Sequence, residues 1–226
     1  MLETIEESQL RDASPEDLKT RYAELFAEVQ ERITESMEWP IVYQNGVVTT
    51  RRRRRNSQDR GCAYLQRSSV HHDVNYDALR SVLFKDHSMN EPKYVELMQE
   101  AKLLFPLAQT SSGEAGVYRL AFKATLASGR EFVELVATQE QEQDNGKRSF
   151  MIVSKPVQSS IRVHPGYVRG QYESWEFVRE LEDGGIEWIA VQHSDAGGWL
   201  PKWLVNWFNA REFHKDVKAI IRYVNQ

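Results

Sequence analysis

The sequence predicts an α+β fold in which a curved antiparallel sheet wraps around one long C-terminal helix. Three observations carry this prediction. Apolar residues recur at helical spacing near the N-terminus, over residues 15–38. From Val117 to His193 the hydrophobic period changes to two, and turn residues separate the successive segments. After a Gly-Gly turn, a second helical pattern, rich in tryptophan, covers residues 200–224.

The first helix is predicted over residues 15–38. Ser14 can accept a hydrogen bond from a backbone N–H, and Pro15 suits the first helical position because its missing N–H is not needed there. The following stripe is typical of a helix with one buried face: Leu18, Tyr22, Leu25, Phe26, Val29 and Ile33. Residues 1–13 precede this start and are expected to be flexible.

Strand patterns occupy two parts of the chain. A strand and loop region is predicted at residues 41–71, with strand-forming residues at 47–50 and 62–71. Five further strands follow the alternating pattern: residues 117–126, 132–139, 148–155, 168–181 and 186–193. Asn145-Gly146, between the second and third of these, predicts a hairpin because both residues tolerate positive φ. Hairpin connections imply an antiparallel sheet.

Two helices are predicted between these strand regions, within residues 75–105. The second of them has Ser88 and Glu91 as a candidate capping box. Its apolar positions recur at helical spacing: Tyr94, Leu97, Met98, Ala101, Leu104 and Phe105.

Composition limits the classes of protein. Of 226 residues, 41% are hydrophobic and 27% charged, which suits one large globular domain, predicted to span residues 14–226. The net charge of −4 gives no general attraction to nucleic acid, so no such partner is expected. The single cysteine, Cys62, fits a reducing compartment. Since the sequence also shows no signal peptide and no long apolar run, we expect a cytoplasmic protein.

The end of the chain resembles a known superfamily. The turn Ser194-Asp195-Ala196-Gly197-Gly198 leads into a helix whose Pro201, Trp203, Leu204, Val205 and Asn206 are similar to the string that opens the closing helix of START domains. Residues 168–174, Glu187-Trp188-Ile189 and the same Ser194–Gly198 turn are similar to a mostly fungal START-like family. The resemblance covers roughly residues 60 to 224.

This resemblance implies a helix-grip fold that binds, and in some members transfers, a hydrophobic small molecule in an internal cavity. The ligand would be a lipid, a sterol or a polyketide-like metabolite, and no cofactor is implied. START-like folds also include cyclases, hydratases and isomerases, so an enzyme of secondary metabolism that uses the same cavity is the alternative. A third hypothesis is an interaction module with a solid core, which predicts no pocket.

The residues expected to bind the ligand come from the sheet and the closing helix: Tyr118, Phe122, Leu135, Met151, Arg169, Tyr172, Glu173, Trp175, Trp188, Trp199, Trp203 and Trp207. Alternation places Glu173 on the opposite face of its strand from Tyr172, and which of these faces lines the cavity is open. An inward-facing Glu173 would need a partner, for example Arg169. The candidates for acid–base catalysis are Glu173, Tyr172, His193 and Arg169.

Two charged motifs complete the sequence analysis. The first is a run of arginines: Arg51, Arg52, Arg53, Arg54 and Arg55. This run is interpreted as a solvated loop or edge strand, as a transient contact with an anionic membrane, or as a nuclear-import signal. The second is His71-His72, whose side chains would point to opposite faces of a strand, so no metal site is predicted.

Overall fold

Most of the described chain is β-sheet. The structure, a computed structural model, describes these residues: 2–54, 63–123, 128–143, 146–195, 197, 213, 215 and 217–225. Its strands are β1 (Ile5–Glu6), β2 (Ile41–Asn45), β3 (Val48–Arg52), β4 (Leu65–His71), β5 (Met98–Pro106), β6 (Ala115–Phe122), β7 (Gly129–Glu142), β8 (Arg148–Gln158), β9 (Tyr167–Arg169), β10 (Gln171–Glu180) and β11 (Ile186–Asp195). Its helices are α1 (Glu7–Arg11), α2 (Pro15–Ser36), α3 (Tyr76–Leu83) and α4 (His87–Asn90), and residues 217–224 are also helical.

All these strands belong to one sheet. The main order is β2-β3-β4-β11-β10-β8-β7-β6-β5, and every neighbouring pair along it is antiparallel. β1 and β9 add to it by parallel pairing with β8 and β7. The large antiparallel sheet of the predicted α+β class is therefore confirmed. Residues 217–224 agree with the predicted C-terminal helix, whose predicted start at residue 200 lies outside the described residues.

The two faces of the sheet are covered by different helices. We call the face that packs against α2 the outer face; there, Phe26 of α2 shares a buried cluster with Leu135 of β7. We call the opposite face the inner face; there, Ile152 of β8 shares a second cluster with Leu79 of α3 and Ile220 of the C-terminal helical residues. Because both faces are covered, the central strands carry apolar residues on both sides.

The N-terminal end of α2 forms as predicted. Ser14 Oγ accepts a hydrogen bond from the Asp17 N–H at 3.2 Å, and the Asp17 carboxylate accepts one from the Ser14 N–H at 3.1 Å. Pro15 occupies the first turn, where no partner for a backbone N–H is required. This reciprocal capping satisfies two donors that the helix cannot pair internally.

The N-terminal segment corrects the expectation that residues 1–13 are flexible. Ile5 and Glu6 pair with Val157 and Gln158 of β8, and α1 follows directly. Leu10 of α1 is 1% exposed and belongs to the outer-face core. A helix of little more than one turn has too few residues to show an apolar period, so the sequence pattern could not reveal this docking.

We predict that Leu10→Ala lowers the free energy of unfolding by about 2–5 kcal/mol, because it leaves a cavity in a packed core. Denaturant unfolding measures this loss. Ser8→Ala is the matched control, since Ser8 lies on the exposed side of the same helix. Equal stability of the two variants would mean that α1 does not contribute to the core.

The sequence predicts helices across residues 75–105. The prediction is correct for α3 but wrong for the last part of this range, from Met98 onward. Residues Met98–Pro106 form an edge strand, β5, paired with β6, and Ser88 lies inside the short α4 instead of capping a long helix. The pairing register shifts between Leu103 and Phe105. Leu104 and Phe105 consequently both pack against the outer-face core. Such bulges give an edge strand an irregular apolar spacing, which here imitates a helical period.

A hairpin of β2 and β3 occupies the opposite edge of the sheet from β5. Its β3 was anticipated at residues 47–50, but β2 was not. Asn45 pairs with Val48 across a turn in which Gly46 has φ +62°. The Asn-Gly pair between two β-branched runs is the signal that indicates this hairpin in the sequence.

Candidate functional site

One carboxyl group is enclosed within the inner face. Glu134 of β7 is 1% exposed and lies opposite Tyr118 of β6 and Pro156 of β8. Its Oε1 accepts no hydrogen bond from any described residue. Burial, followed by the negative charge of Glu91, raises the pKa of Glu134 well above its usual value. Burial therefore favours the neutral carboxylic acid, which can donate a hydrogen bond as well as accept one.

A tyrosine hydroxyl lies on the same face. The ring of Tyr172 meets that of Phe132 edge to face, with 6.3 Å between centroids, and Phe132 meets Phe122 in the same way at 5.6 Å. The Tyr172 hydroxyl donates to Gln192 Oε1 at 3.4 Å. Burial, followed by the charges of Glu176 and Glu134, raises the pKa of Tyr172 well above its usual value. This end of the inner face therefore combines three aromatic rings with two polar groups, Glu134 and Tyr172, whose neutral forms are favoured by burial.

Two other inner-face carboxylates, Glu176 and Glu140, have basic or N–H partners. Trp188 Nε1 donates to Glu176 Oε2 at 2.8 Å, and Arg67 Nη2 lies 3.7 Å from the same oxygen. The Arg67 guanidinium also lies 3.8 Å above the Trp188 ring. Glu140 accepts from Arg80 Nη2 at 2.7 Å. Among these described carboxylates, Glu134 differs because its Oε1 accepts no hydrogen bond from a described residue.

The structure brings together some of the sequence-predicted ligand residues. Tyr118, Phe122, Tyr172 and Trp188 all lie on the inner face, in register with Glu134 or with inner-face core residues. Three further predicted residues lie outside the described part of the chain: Trp199, Trp203 and Trp207.

Other predicted ligand residues lie on the outer face, against α2. Leu135, Met151 and Trp175 are at most 1% exposed and belong to the same core cluster as α2. Glu173 lies two residues before Trp175 on β10, so both side chains point to the same face of the sheet. The sheet separates these side chains from Tyr172 and Glu134, so we leave them out of the candidate site.

Glu173 and His193, two of the candidates for acid–base catalysis, are neighbours in a buried polar cluster. Glu173 accepts hydrogen bonds from the Tyr64 hydroxyl and from Lys155 Nζ, both at 3.1 Å, and lies 3.2 Å from His193 Nδ1. The Tyr64 and His193 rings stack at 3.9 Å. Burial alone would raise the pKa of Glu173, but His193 and Lys155 together lower it. The cluster joins Lys155 to Glu28 of α2 at 2.9 Å, which indicates a structural role.

Arg169 does not pair with Glu173, so the predicted partnership is wrong. Arg169 Nη2 lies 2.7 Å from Glu131 Oε1 and also donates to the Ile161 carbonyl. The predicted strand 168–181 is interrupted at Gly170, where an added Cβ would lie 2.5 Å from the Phe132 ring. This interruption turns Arg169 toward β7 instead of along β10.

The arginine run contributes to the fold at two of its positions. Arg51 Nη1 donates to Ser68 Oγ at 3.2 Å, and the Arg53 guanidinium lies 3.9 Å from the Tyr64 ring centroid. Arg52 and Arg54 are exposed, and Arg55 lies outside the described residues. These contacts fit the interpretation as an edge strand, and the membrane and nuclear-import interpretations stay predictions.

The predicted absence of a metal site concerns His71-His72. His71 is buried, with Nε2 2.8 Å from Ser69 Oγ, whereas His72 is exposed. Within the described ranges, no group of three or more His, Cys, Asp and Glu side chains is arranged to hold a metal ion. No helix in the same ranges is both long and apolar enough to cross a membrane.

Sequence reasoning missed Glu134, Glu176 and Arg67. The signal for Glu134 was present, since it is the single acidic residue of the apolar stretch from Phe132 to Ala137. A carboxylate in the middle of a strand that is apolar on both sides is unusual and marks a candidate site.

The architecture is that of the START domains. Over 94% of the chain, the structure is similar to human STARD10, with 80% of that protein covered, a TM-score of 0.71 and 16% identity. Human StAR-related lipid transfer protein 5 gives a TM-score of 0.73 and 18% identity, covering 92% of this chain and 98% of that one. A STAR-related lipid transfer protein from Xanthomonas axonopodis gives a TM-score of 0.66 and 15% identity, covering 83% of this chain and 99% of that one. At these identities the likeness shows the fold alone.

The particular family is given by the sequence. Residues 64–224 match the family model described as "Protein of unknown function (DUF3074)". The match spans well over half of the chain, and the chain belongs to this family. A search among curated proteins gave no match.

Proposed function

We propose that this protein binds one hydrophobic small molecule between the inner face of its sheet and the C-terminal helix. The observation that carries the proposal is Glu134, a buried carboxyl whose Oε1 is without a partner among the described residues. An unpaired buried polar group costs about 1–3 kcal/mol of stability, so a ligand that supplies the missing partner recovers this cost.

The inner face favours a neutral ligand with a hydrogen-bonding end. Near Tyr172 the inward-facing carboxylate of Glu176 is already paired, since it accepts from Trp188 Nε1 and lies 3.7 Å from Arg67 Nη2. A ligand carboxylate or phosphate at this end would add a second negative charge beside Glu176. A hydroxyl or carbonyl group would instead bond to the neutral acid of Glu134. A sterol or a polyketide-like metabolite therefore fits better than a fatty acid or a phospholipid.

The fold supports this proposal indirectly. Two of the similar structures are named as lipid transfer proteins, which is a statement about those proteins. Carriage by this chain would need a cavity of about 300–1,000 Å³, and each buried CH₂ of the ligand would contribute about 0.8 kcal/mol. We also propose that the protein transfers its ligand between membranes. We further propose that it is related to a mostly fungal START-like family.

Native mass spectrometry of the protein purified from its own host tests the proposal first. The expected result is a co-purifying apolar mass with one bound molecule per chain. Delipidated protein is then titrated with a fluorescent sterol and with a fluorescent fatty acid. Uptake of the sterol with weaker uptake of the fatty acid is expected, and failure to bind either probe, with no co-purifying mass, would overturn the proposal.

Glu134→Leu is predicted to weaken sterol binding while making the empty protein more stable. The substitution removes a buried group with an unpaired oxygen, so we expect the free energy of unfolding at neutral pH to rise by about 1–3 kcal/mol. Glu134→Gln, which keeps a donor, should retain part of the affinity. Glu140→Gln is the matched control, since Glu140 lies on the same strand but is paired with Arg80.

The same substitution changes the pH dependence of stability. The pKa of Glu134 is raised in the folded protein, so folding takes up a proton between the unfolded pKa, about 4.3, and the higher folded pKa. Wild-type stability therefore falls as the pH rises through this window, and the fall should be smaller in Glu134→Leu. Identical pH profiles would mean that Glu134 titrates normally.

The alternative is an enzyme of the cyclase, hydratase or isomerase type. The observation that favours it is the raised pKa of the buried Glu134, on the same face as Tyr172, because buried carboxyl groups with raised pKa values are typical of general acids. An enzyme would convert a bound candidate metabolite, and Glu134→Gln would abolish turnover while binding remained. A carrier would return the same molecule unchanged.

A further inference from the structure

The exposed large hydrophobic side chains concentrate at one corner of the molecule. Of the seven such residues in the described part, five lie within eleven positions: Met37, Ile41, Val42, Tyr43 and Val47. Val47 at the hairpin turn is 61% exposed and Ile41 is 57% exposed. Contiguous exposed apolar groups of this kind mark interaction sites, whereas single ones need no explanation.

This corner is the β2–β3 hairpin, residues 41–52. β2 is the last strand of the main sheet order, and in the described chain it pairs with β3 alone. Its first four residues are all exposed, so neither side of the strand is covered. The Asn45-Gly46 turn projects Val47 at the tip. The hairpin therefore offers apolar side chains on both sides and at its end.

The hairpin is also basic, in an otherwise acidic protein. Residues 37–54 contain four arginines and one acidic residue, Glu38, which gives a net charge of 4 − 1 = +3, whereas the whole chain has −4. Arg52 and Arg54 are exposed, and the Arg52 N–H donates to the carbonyl of Pro40, the residue before β2. Apolar side chains flanked by arginine match the boundary of an anionic bilayer, where acyl chains meet phosphate groups.

We infer that the β2–β3 hairpin docks on the surface of an anionic lipid membrane. Ile41, Val42 and Val47 enter the boundary between headgroups and acyl chains, and Arg52 and Arg54 contact the headgroup phosphates. A second copy of the chain fits this surface less well, because the β2 edge, Ile41–Asn45, carries no acidic residue that could pair with the arginines. The proposal does not require that the inner face hold a ligand.

The test is co-sedimentation of the full chain with vesicles of phosphatidylcholine alone and with vesicles that contain about 30% phosphatidylserine. Binding to the anionic vesicles, weakened by added salt, is expected. Arg52→Ser/Arg54→Ser should reduce the affinity about 25-fold, at roughly fivefold for each arginine. Ile41→Ser/Val42→Ser/Val47→Ser should reduce it at least about tenfold, since it removes the inserted apolar area.

Matched variants elsewhere on the surface control for charge and hydrophobicity. Lys85→Ser/Lys102→Ser and Met89→Ser/Leu103→Ser change exposed residues away from the hairpin and should bind as the wild type does. Glu134→Leu should also bind normally, which separates this proposal from the ligand proposal. Three results would overturn it: no binding to anionic vesicles, equal binding by the hairpin variants, or a dimer in sedimentation analysis that the hairpin variants dissociate.

Discussion

Trp188→Ala is expected to lower the free energy of unfolding by about 3–5 kcal/mol, a large part of the stability of a domain of this size. Trp188 is fully buried at the centre of the inner-face core. Its loss leaves a cavity and removes the indole that donates to Glu176 and lies beneath Arg67. Two buried charges therefore lose contacts at the same time as the core loses volume.

Denaturant unfolding of delipidated protein measures this effect, and Trp188→Phe separates its two causes. The phenylalanine variant keeps most of the apolar volume but cannot donate to Glu176, so about 1–3 kcal/mol of the loss should remain. Trp188 was also predicted to bind ligand. A loss below about 1 kcal/mol in the empty protein, with reduced ligand binding, would mean that Trp188 contacts ligand instead of supporting the core.

The sheet could be predicted because its signals are local. The alternating segments from residue 117 onward correspond to β6, β7, β8, β10 and β11, and Asn145-Gly146 separates two strands that are indeed paired antiparallel. The strand β5 escaped prediction because its bulges break the period of two. The β2–β3 hairpin had an equally local signal in Asn45-Gly46, which was not used.

The orientation of each strand could not be predicted from the same pattern. Around Glu134, β7 reads Val133-Glu134-Leu135-Val136, with apolar residues on both faces. Alternation separates inner from outer residues only when one face is polar. Because α2 covers the outer face, Leu135, Met151 and Trp175 are as well buried as inner-face residues. Their selection as ligand residues followed from size and apolar character, which do not distinguish the two faces.

The candidate site is defined by the missing hydrogen-bond partner of Glu134 Oε1 among the described residues, which a sequence pattern does not reveal. Glu134 and Glu173 are both glutamates in the middle of strands, yet their surroundings differ. Glu173 meets Lys155, which the sequence places eighteen residues away, whereas Glu134 meets Tyr118 and Pro156. Whether a buried carboxylate is paired is decided by neighbouring strands, and this decides whether its pKa falls or rises.

Glu173→Gln is expected to lower the free energy of unfolding at neutral pH by about 3 kcal/mol, because it removes one partner of a buried ionic cluster. Glu173 is 5% exposed. Among the described ion pairs, Lys155 contacts both Glu173 and Glu28, so the substitution leaves Lys155 with Glu28 alone. Glu187→Gln is the matched control. Glu187 pairs with Arg179 on the same side of the sheet, but that arginine is 40% exposed, so at most about 1 kcal/mol is expected.

The difference between wild type and Glu173→Gln should depend on pH in a defined direction. The pKa of Glu173 is lower in the folded protein than its usual value of about 4.3, so ionised Glu173 stabilises the fold above that value. This stabilisation is lost as the pH falls through the lower, folded pKa. The two unfolding free energies should therefore converge below about pH 4, whereas the Leu10→Ala deficit should persist there because a cavity does not titrate. A difference that stayed constant with pH would mean that Glu173 contributes through packing and not through its charge.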